Sequence, residues 1–170
     1  VVELATGRVV ANVKGHKDSV NGVAISADGR RFATASQDGT AAVWDLAAAS
    51  SGGAPLFRLT DKDSRGFVFA AFSADATRFM TLTGSITDWR RSDTNKAQLW
   101  DQGGKLIAEL KGHDFRVEHA AFSPNGQLVA TAGADGTVRL WNAATGQRSS
   151  VLDAGGSFVA FSQDSTRLLI

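Results

Sequence analysis

Residues 112–142, GHDFRVEHAAFSPNGQLVATAGADGTVRLWN, are a second copy of residues 15–45, GHKDSVNGVAISADGRRFATASQDGTAAVWD. The two align without a gap. Gly15-His16 returns as Gly112-His113, Asp38-Gly39-Thr40 as Asp135-Gly136-Thr137, and Trp44 as Trp141, all displaced by the same 97 residues. Chance matches would not keep one phase, so the chain is a repeat protein. A finer ladder marks the units: Ser26-Ala27-Asp28, Ser73-Ala74-Asp75, Ser123-Pro124-Asn125 and Ser162-Gln163-Asp164 each follow one hydrophobic run and precede another.

Within a unit the pattern is strands joined by tight turns. Val20 to Ser26 is largely apolar, Ala27 to Arg30 is a turn, Phe32 to Ser36 is a second run, Gln37 to Thr40 turns again, and Ala41 to Trp44 is a third. Asp-Gly between apolar runs is a hairpin signal, because both residues tolerate the positive φ of the turn. Helix is disfavoured throughout. The near-continuous apolar first strand implies burial on both faces, whereas the outer fourth strand, Lys105 to Leu110, is more polar. Trp100 to Trp141 spans 41 residues, but Trp44 to Trp100 spans 56. Comparing the Ser ladder with the tryptophans places most of the excess in an insertion at 85–95, and the remainder in the Ala/Ser/Gly-rich loop Ala47 to Ala54.

The Gly-His pairs, the turn aspartates Asp38 and Asp135, and the closing dipeptides Trp44-Asp45, Trp100-Asp101 and Trp141-Asn142 resemble the WD-repeat (WD40) family. The resemblance implies an all-β β-propeller of four-stranded antiparallel blades. It also implies a hydrogen-bonded set in each well-formed blade: His16, Thr34, Asp38 and Trp44, then His113, Thr131, Asp135 and Trp141. Aligning Thr6-Gly7 with Thr145-Gly146 puts Val2 at a tryptophan position. The expected units are therefore the end of a preceding blade (1–14), a regular blade (15–60), a degenerate blade carrying the insertion 85–95 (61–111), a second regular blade (112–152) and a truncated one (153–170). A seven-bladed ring needs roughly 280 residues, so the expectation is an incomplete arc of a seven- or eight-bladed ring. The degenerate blade keeps Thr81 and Trp100 but has Leu59-Thr60-Asp61-Lys62 in place of Gly-His, and it should lack a complete set.

Function is read from what repeats and what does not. His, Thr and Asp together suggest a hydrolytic triad, but the set recurs once per blade, which an active site has no reason to do. A metal site built from His16, Asp38, His113 and Asp135 fails because the residues belong to different blades. His119, inside a first-strand run, reads as a satisfied core residue. No catalytic residue, metal or cofactor is expected. Eighteen basic against seventeen acidic residues give a charge of +1, which argues against a nucleic-acid partner. No cysteine occurs, no apolar run could span a bilayer, and the N-terminus lacks a signal-peptide layout; a cytoplasmic location is the expectation.

The expected partner is another protein or a peptide. Trp89 between Asp88 and Arg90-Arg91, in the insertion, carries the residue types most enriched at interaction hot spots. The alternative is that Trp89 folds back over the gap in its own blade. The family resemblance adds Ser19, Asn21, Gln37, Arg116, Glu118 and Ala134 as contact positions on one rim. Self-association through open propeller edges is a further expectation. A catalytic propeller, or the sensor arm of an enzyme whose active site lies outside this chain, is the competing class.

Overall fold

The computed structural model describes residues 1–61, 66–84 and 96–170. Three four-stranded antiparallel sheets follow one another along the chain, each a simple meander. The first comprises β1 (Val20–Ile25), β2 (Arg31–Ser36), β3 (Thr40–Asp45) and β4 (Phe57–Thr60). The second comprises β5 (Phe67–Phe72), β6 (Arg78–Thr83), β7 (Ala97–Asp101) and β8 (Leu106–Glu109), and the third β9 (Val117–Phe122), β10 (Leu128–Gly133), β11 (Thr137–Asn142) and β12 (Arg148–Asp153). A two-stranded sheet, β13 (Ala160–Phe161) with β14 (Leu168–Leu169), ends the arc. The sheets form an incomplete propeller and do not close into a ring. Among the described residues no helix is long and apolar enough to cross a membrane.

Burial on both faces shapes the middle strands. In β2, β6 and β10 every residue after the first is buried, because each sheet packs against neighbours on either side. The interfaces pair small side chains with large ones. Ala33, Ala35 and Ala41 of the first sheet receive Phe67 and Phe79 of the second. Met80, Leu82 and Leu99 of the second meet Ala120, Val129 and Trp141 of the third. Ala130, Ala132 and Val138 meet Val159 and Phe161.

Gly22 sits where the other inner strands carry Phe69, His119 and Phe158. A Cβ at Gly22 would lie 2.9 Å from the Phe69 Cα, so β1 approaches the β5 backbone as only glycine allows. In the remaining blades the same position forms an aromatic row, with the His119 ring 5.4 Å from Phe69 and 4.1 Å from Phe158.

Two sequence expectations are corrected. The apolar first strand, expected to be buried on both faces, is largely exposed in β1, where Val20, Val23 and Ile25 all face out. The Ala-rich segment after β3 is not loop alone: Leu46–Ser50 forms a short helix, α1. Asp45 caps it by accepting the Ala48 N–H at 2.9 Å, and Ala47-Ala48-Ala49 supplies strong helix formers. The hairpin pattern before it gave no weight to Asp45 followed by Leu46 and three alanines, which is a capped helix start.

The Ser-x-Asp ladder is one turn built four times. Ser26, Ser73, Ser123 and Ser162 each donate through Oγ to Asp28, Asp75, Asn125 and Asp164, at 2.5–2.7 Å. Each serine Oγ also accepts the backbone N–H five residues on. The next position is left-handed: Gly29 (φ 69°), Ala76 (φ 54°), Gly126 (φ 70°) and Ser165 (φ 60°). Ser165 gains a bond there, since its Oγ accepts the Asn125 N–H at 3.0 Å and ties the last sheet to the third. Ala76 has no side-chain polar group to offer in return. An L-residue in this region costs about 1–2 kcal/mol, partly offset by the smaller chain entropy it loses relative to glycine. Ala76→Gly is therefore expected to raise unfolding free energy by about 0.5–1 kcal/mol, read as a higher urea midpoint at unchanged m-value.

Candidate functional site

In the first sheet the Trp44 indole Nε1–H donates to Thr34 Oγ1 (3.1 Å), Thr34 Oγ1 lies 2.8 Å from His16 Nε2, and His16 Nδ1 lies 3.1 Å from Asp38 Oδ2. The third sheet repeats the chain: Trp141 to Thr131 at 2.9 Å, Thr131 to His113 Nε2 at 2.8 Å, and His113 Nδ1 to both Asp135 oxygens at 3.0 Å. Proton counting orders it. The indole can only donate, so the threonine oxygen accepts there and spends its single proton on Nε2; Nδ1 then carries the ring proton and donates to the carboxylate.

Electrostatics agree with that order. Burial lowers the His113 pKa despite the opposing pull of Asp135, so the ring is neutral near pH 7. Burial would raise the Asp135 pKa, but hydrogen bonds from Thr137, the Asp114 N–H and His113 outweigh it and hold the carboxyl well below the usual range. Asp38 is held low in the same way by Thr40, the Lys17 N–H and His16. The arrangement offers no nucleophile. Thr131 is fully buried, its oxygen already accepts the indole proton, and its own proton is committed to the imidazole.

A guanidinium lies against each Gly-His pair, which the sequence reading missed. A Cβ on Gly15 would stand 2.6 Å from Arg58 Nη2; one on Gly112 would collide with Arg139 and stand 3.3 Å from Arg148 Nη1 of β12. Arg58 comes from β4, opposite Ala42 of β3; Arg139 comes from β11, opposite Val151 of β12. The cation thus reaches the same place from the fourth strand in one blade and from the third and fourth together in the other. Arg58 also lies 5.6 Å over the Trp44 ring, and Arg139 stands 3.5 Å from Asp135. The second sheet has Gln98 facing Glu109 at this register. It keeps Trp100 Nε1–H to Thr81 Oγ1 at 3.0 Å, and where Gly-His would stand Asp61 forms an ion pair with Lys96 at 3.1 Å.

On the rim, Ser19 and Asn21 are exposed and Gln37 is half-buried; the Gln37 N–H donates to the Ser19 carbonyl at 2.9 Å, which brings these loops together. Across the third sheet Arg116 donates through Nε (3.1 Å) and Nη2 (2.8 Å) to one Glu118 oxygen, and its carbonyl accepts the Ala134 N–H. These two charges are spent on each other. Trp89, Arg90 and Arg91, with the insertion 85–95, lie outside the described residues, as does Lys62. His119 packs between Phe69 and Phe158, and its Nδ1 accepts the Val159 N–H at 3.4 Å. Among the described residues no cluster of His, Asp and Glu could hold a metal ion.

The WD40 family (WD domain, G-beta repeat) matches residues 7–45 and 104–142, the segments that hold the two complete hydrogen-bonded sets. The chain carries WD40 repeats. It is 27% identical to apoptotic protease-activating factor 1 of Rattus norvegicus over 86% of the chain and 14% of that protein. It is 29% identical to the nuclear distribution protein nudF of Aspergillus niger over 93% of the chain and 38% of that protein. With eukaryotic translation initiation factor 3 subunit I of Aspergillus fumigatus it shares 40% identity over 41% of the chain and 21% of that protein. The chain thus spans well under half the length of each of these relatives.

Thr131→Val would strand two buried groups, the Trp141 N–H and His113 Nε2, whereas Thr81→Val strands only the Trp100 N–H. At about 1–3 kcal/mol for each unsatisfied buried group, the expected losses are about 2–4 and about 1–2 kcal/mol, measured by urea unfolding of the two variants side by side.

Acid should act first through the histidines. Burial lowers the pKa of both His113 and His119, so the folded chain binds fewer protons than the unfolded one below about pH 6.5. Their contribution is complete above that value and declines as pH falls below it; the contribution of Asp38 and Asp135 declines only below about pH 4. His119→Phe, which preserves the aromatic row, is expected to flatten the fall in melting temperature between pH 7 and pH 5. An unchanged slope would show that His119 titrates alike in both states.

Proposed function

We propose that the chain is a non-catalytic platform for protein–protein interaction, docking a protein or peptide on the rim formed by the β2–β3 turns and the loops that enter each first strand. The observation that carries this reading is the duplicated Trp–Thr–His–Asp set. Its polar groups satisfy one another inside the blades, so the residues that look most like chemistry are committed to holding the turns that make up the rim. Ser19, Asn21, Gln37, Arg116 and Glu118 are the contact residues this reading assigns, together with Trp89, Arg90 and Arg91 of the insertion. The relatives support it in coarse form, since one of them is by name a subunit of a multiprotein initiation factor. Exposed Val23 and Ile25 on the first sheet, and Leu169 on the last, support association of the sheet faces as well.

The test is affinity capture with the immobilised chain, compared with Trp89→Ala and with the paired change of Arg90 and Arg91 to alanine. Partners retained by the wild type should fall by about tenfold or more on the variants, as for a hot spot, while the melting temperature holds. Recovery of the same proteins in the same amounts from all three would overturn the assignment of the insertion.

A further inference from the structure

In a four-stranded meander the β1–β2 turn and the β3–β4 connection share the end of the sheet opposite the rim. The first sheet is unlike the others there, because its β3–β4 connection carries the extra residues that fold as α1. Together with the β1–β2 turn and the hairpin closed by the Val2–Val9 bridge, α1 walls a cavity of about 730 Å³. Arg8, Val10, Arg30, Asp45, Leu46 and Ser50 line it. That is a volume able to hold a few side chains of a ligand.

Its charges are unequal in what they have left to offer. Asp45 spends one oxygen on capping α1. Among the described residues the Arg8 and Arg30 guanidiniums have neither an ion pair nor a side-chain hydrogen bond, and both residues are exposed. Leu46 and Val10 add apolar wall, and Val9 beside them is 62% exposed. A neighbouring hollow of about 280 Å³ shares Arg30 and Asp45 but adds Asp28 and Asp75, whose negative charge turns away a long acidic run. Two free planar donors over an apolar wall match carboxylates flanked by aliphatic side chains.

We propose that this end of the first blade is a second docking surface, and that it takes a short acidic peptide segment with aliphatic neighbours. It is independent of the rim on the opposite face.

Fluorescence anisotropy with a labelled Leu-Glu-Val-Glu-Leu peptide tests it, with Leu-Gln-Val-Gln-Leu as the neutral control. The acidic peptide should bind, and the neutral one should bind at least about tenfold more weakly. Arg8→Glu and Arg30→Glu should each weaken the acidic peptide by about tenfold, and added salt should do the same. Ser50→Trp, which fills the cavity without changing a charge, should block binding too and decides the matter should an arginine variant fail to fold. Arg116→Glu on the rim should leave the affinity unchanged. Equal binding of both peptides, no binding at about 1 mM, indifference to Arg8→Glu, Arg30→Glu and Ser50→Trp, or loss on Arg116→Glu would each overturn the proposal.

Discussion

A buried threonine hydroxyl has one proton and must satisfy two neighbours, and in Thr34 and Thr131 that arithmetic sets the rest of each regular blade. Because the indole donates, the threonine oxygen accepts there and its own proton goes to the imidazole; because the imidazole is thereby forced into one tautomer, its other nitrogen needs a carboxylate. The carboxylate in turn gathers backbone N–H groups from the turn and from the incoming loop, Lys17 with Thr40 in one blade and Asp114 with Thr137 in the other. A single direction of donation thus joins the second strand, the third strand, the β2–β3 turn and the loop that enters the blade. Geometry on the rim follows from a constraint in the interior.

The second blade shows what replaces that constraint when it is missing. It retains the tryptophan and threonine, and the Asp61–Lys96 ion pair stands at the Gly-His position. An ion pair of this kind holds two points together without fixing a tautomer or a ring orientation, so it carries less directional information. Packing makes up part of the difference. Phe67 and Phe79 sink into the alanines of the first sheet, and Met80 and Leu99 meet the third, so the irregular blade is held from both sides.

Much of this was legible in the sequence because it depends on residues close in the chain or repeated in phase. Strand order, the two hairpin turns per unit and the gap in the second blade follow from spacing, while the membership of both hydrogen-bonded sets came from the resemblance to the WD-repeat family. What escaped is of two kinds. Helix α1 was hidden by reading the Ala47 to Ala54 segment for its small residues and overlooking Asp45 as a cap. The arginine against each Gly-His pair was hidden because it depends on pairing between strands: Arg58 and Arg139 occupy different positions in the repeat, and only the register Ala42 with Arg58 and Arg139 with Val151 makes them equivalent. Asp61 was noticed as a departure from the repeat, but its partner Lys96 lies across the insertion, where no local pattern points.

That exchange of arginine between strands bears on how repeats of this kind diverge. Aligned column by column, the two regular blades each look as though they had lost a basic residue the other kept. In space neither has lost anything, since a guanidinium stands beside the glycine in both. The location is filled in both blades, by the fourth strand in one and by the third and fourth together in the other. Blades can therefore drift apart in sequence at paired positions while their physics stays level, and a search for relatives that scores pairs of facing residues would recognise kinship that single columns conceal.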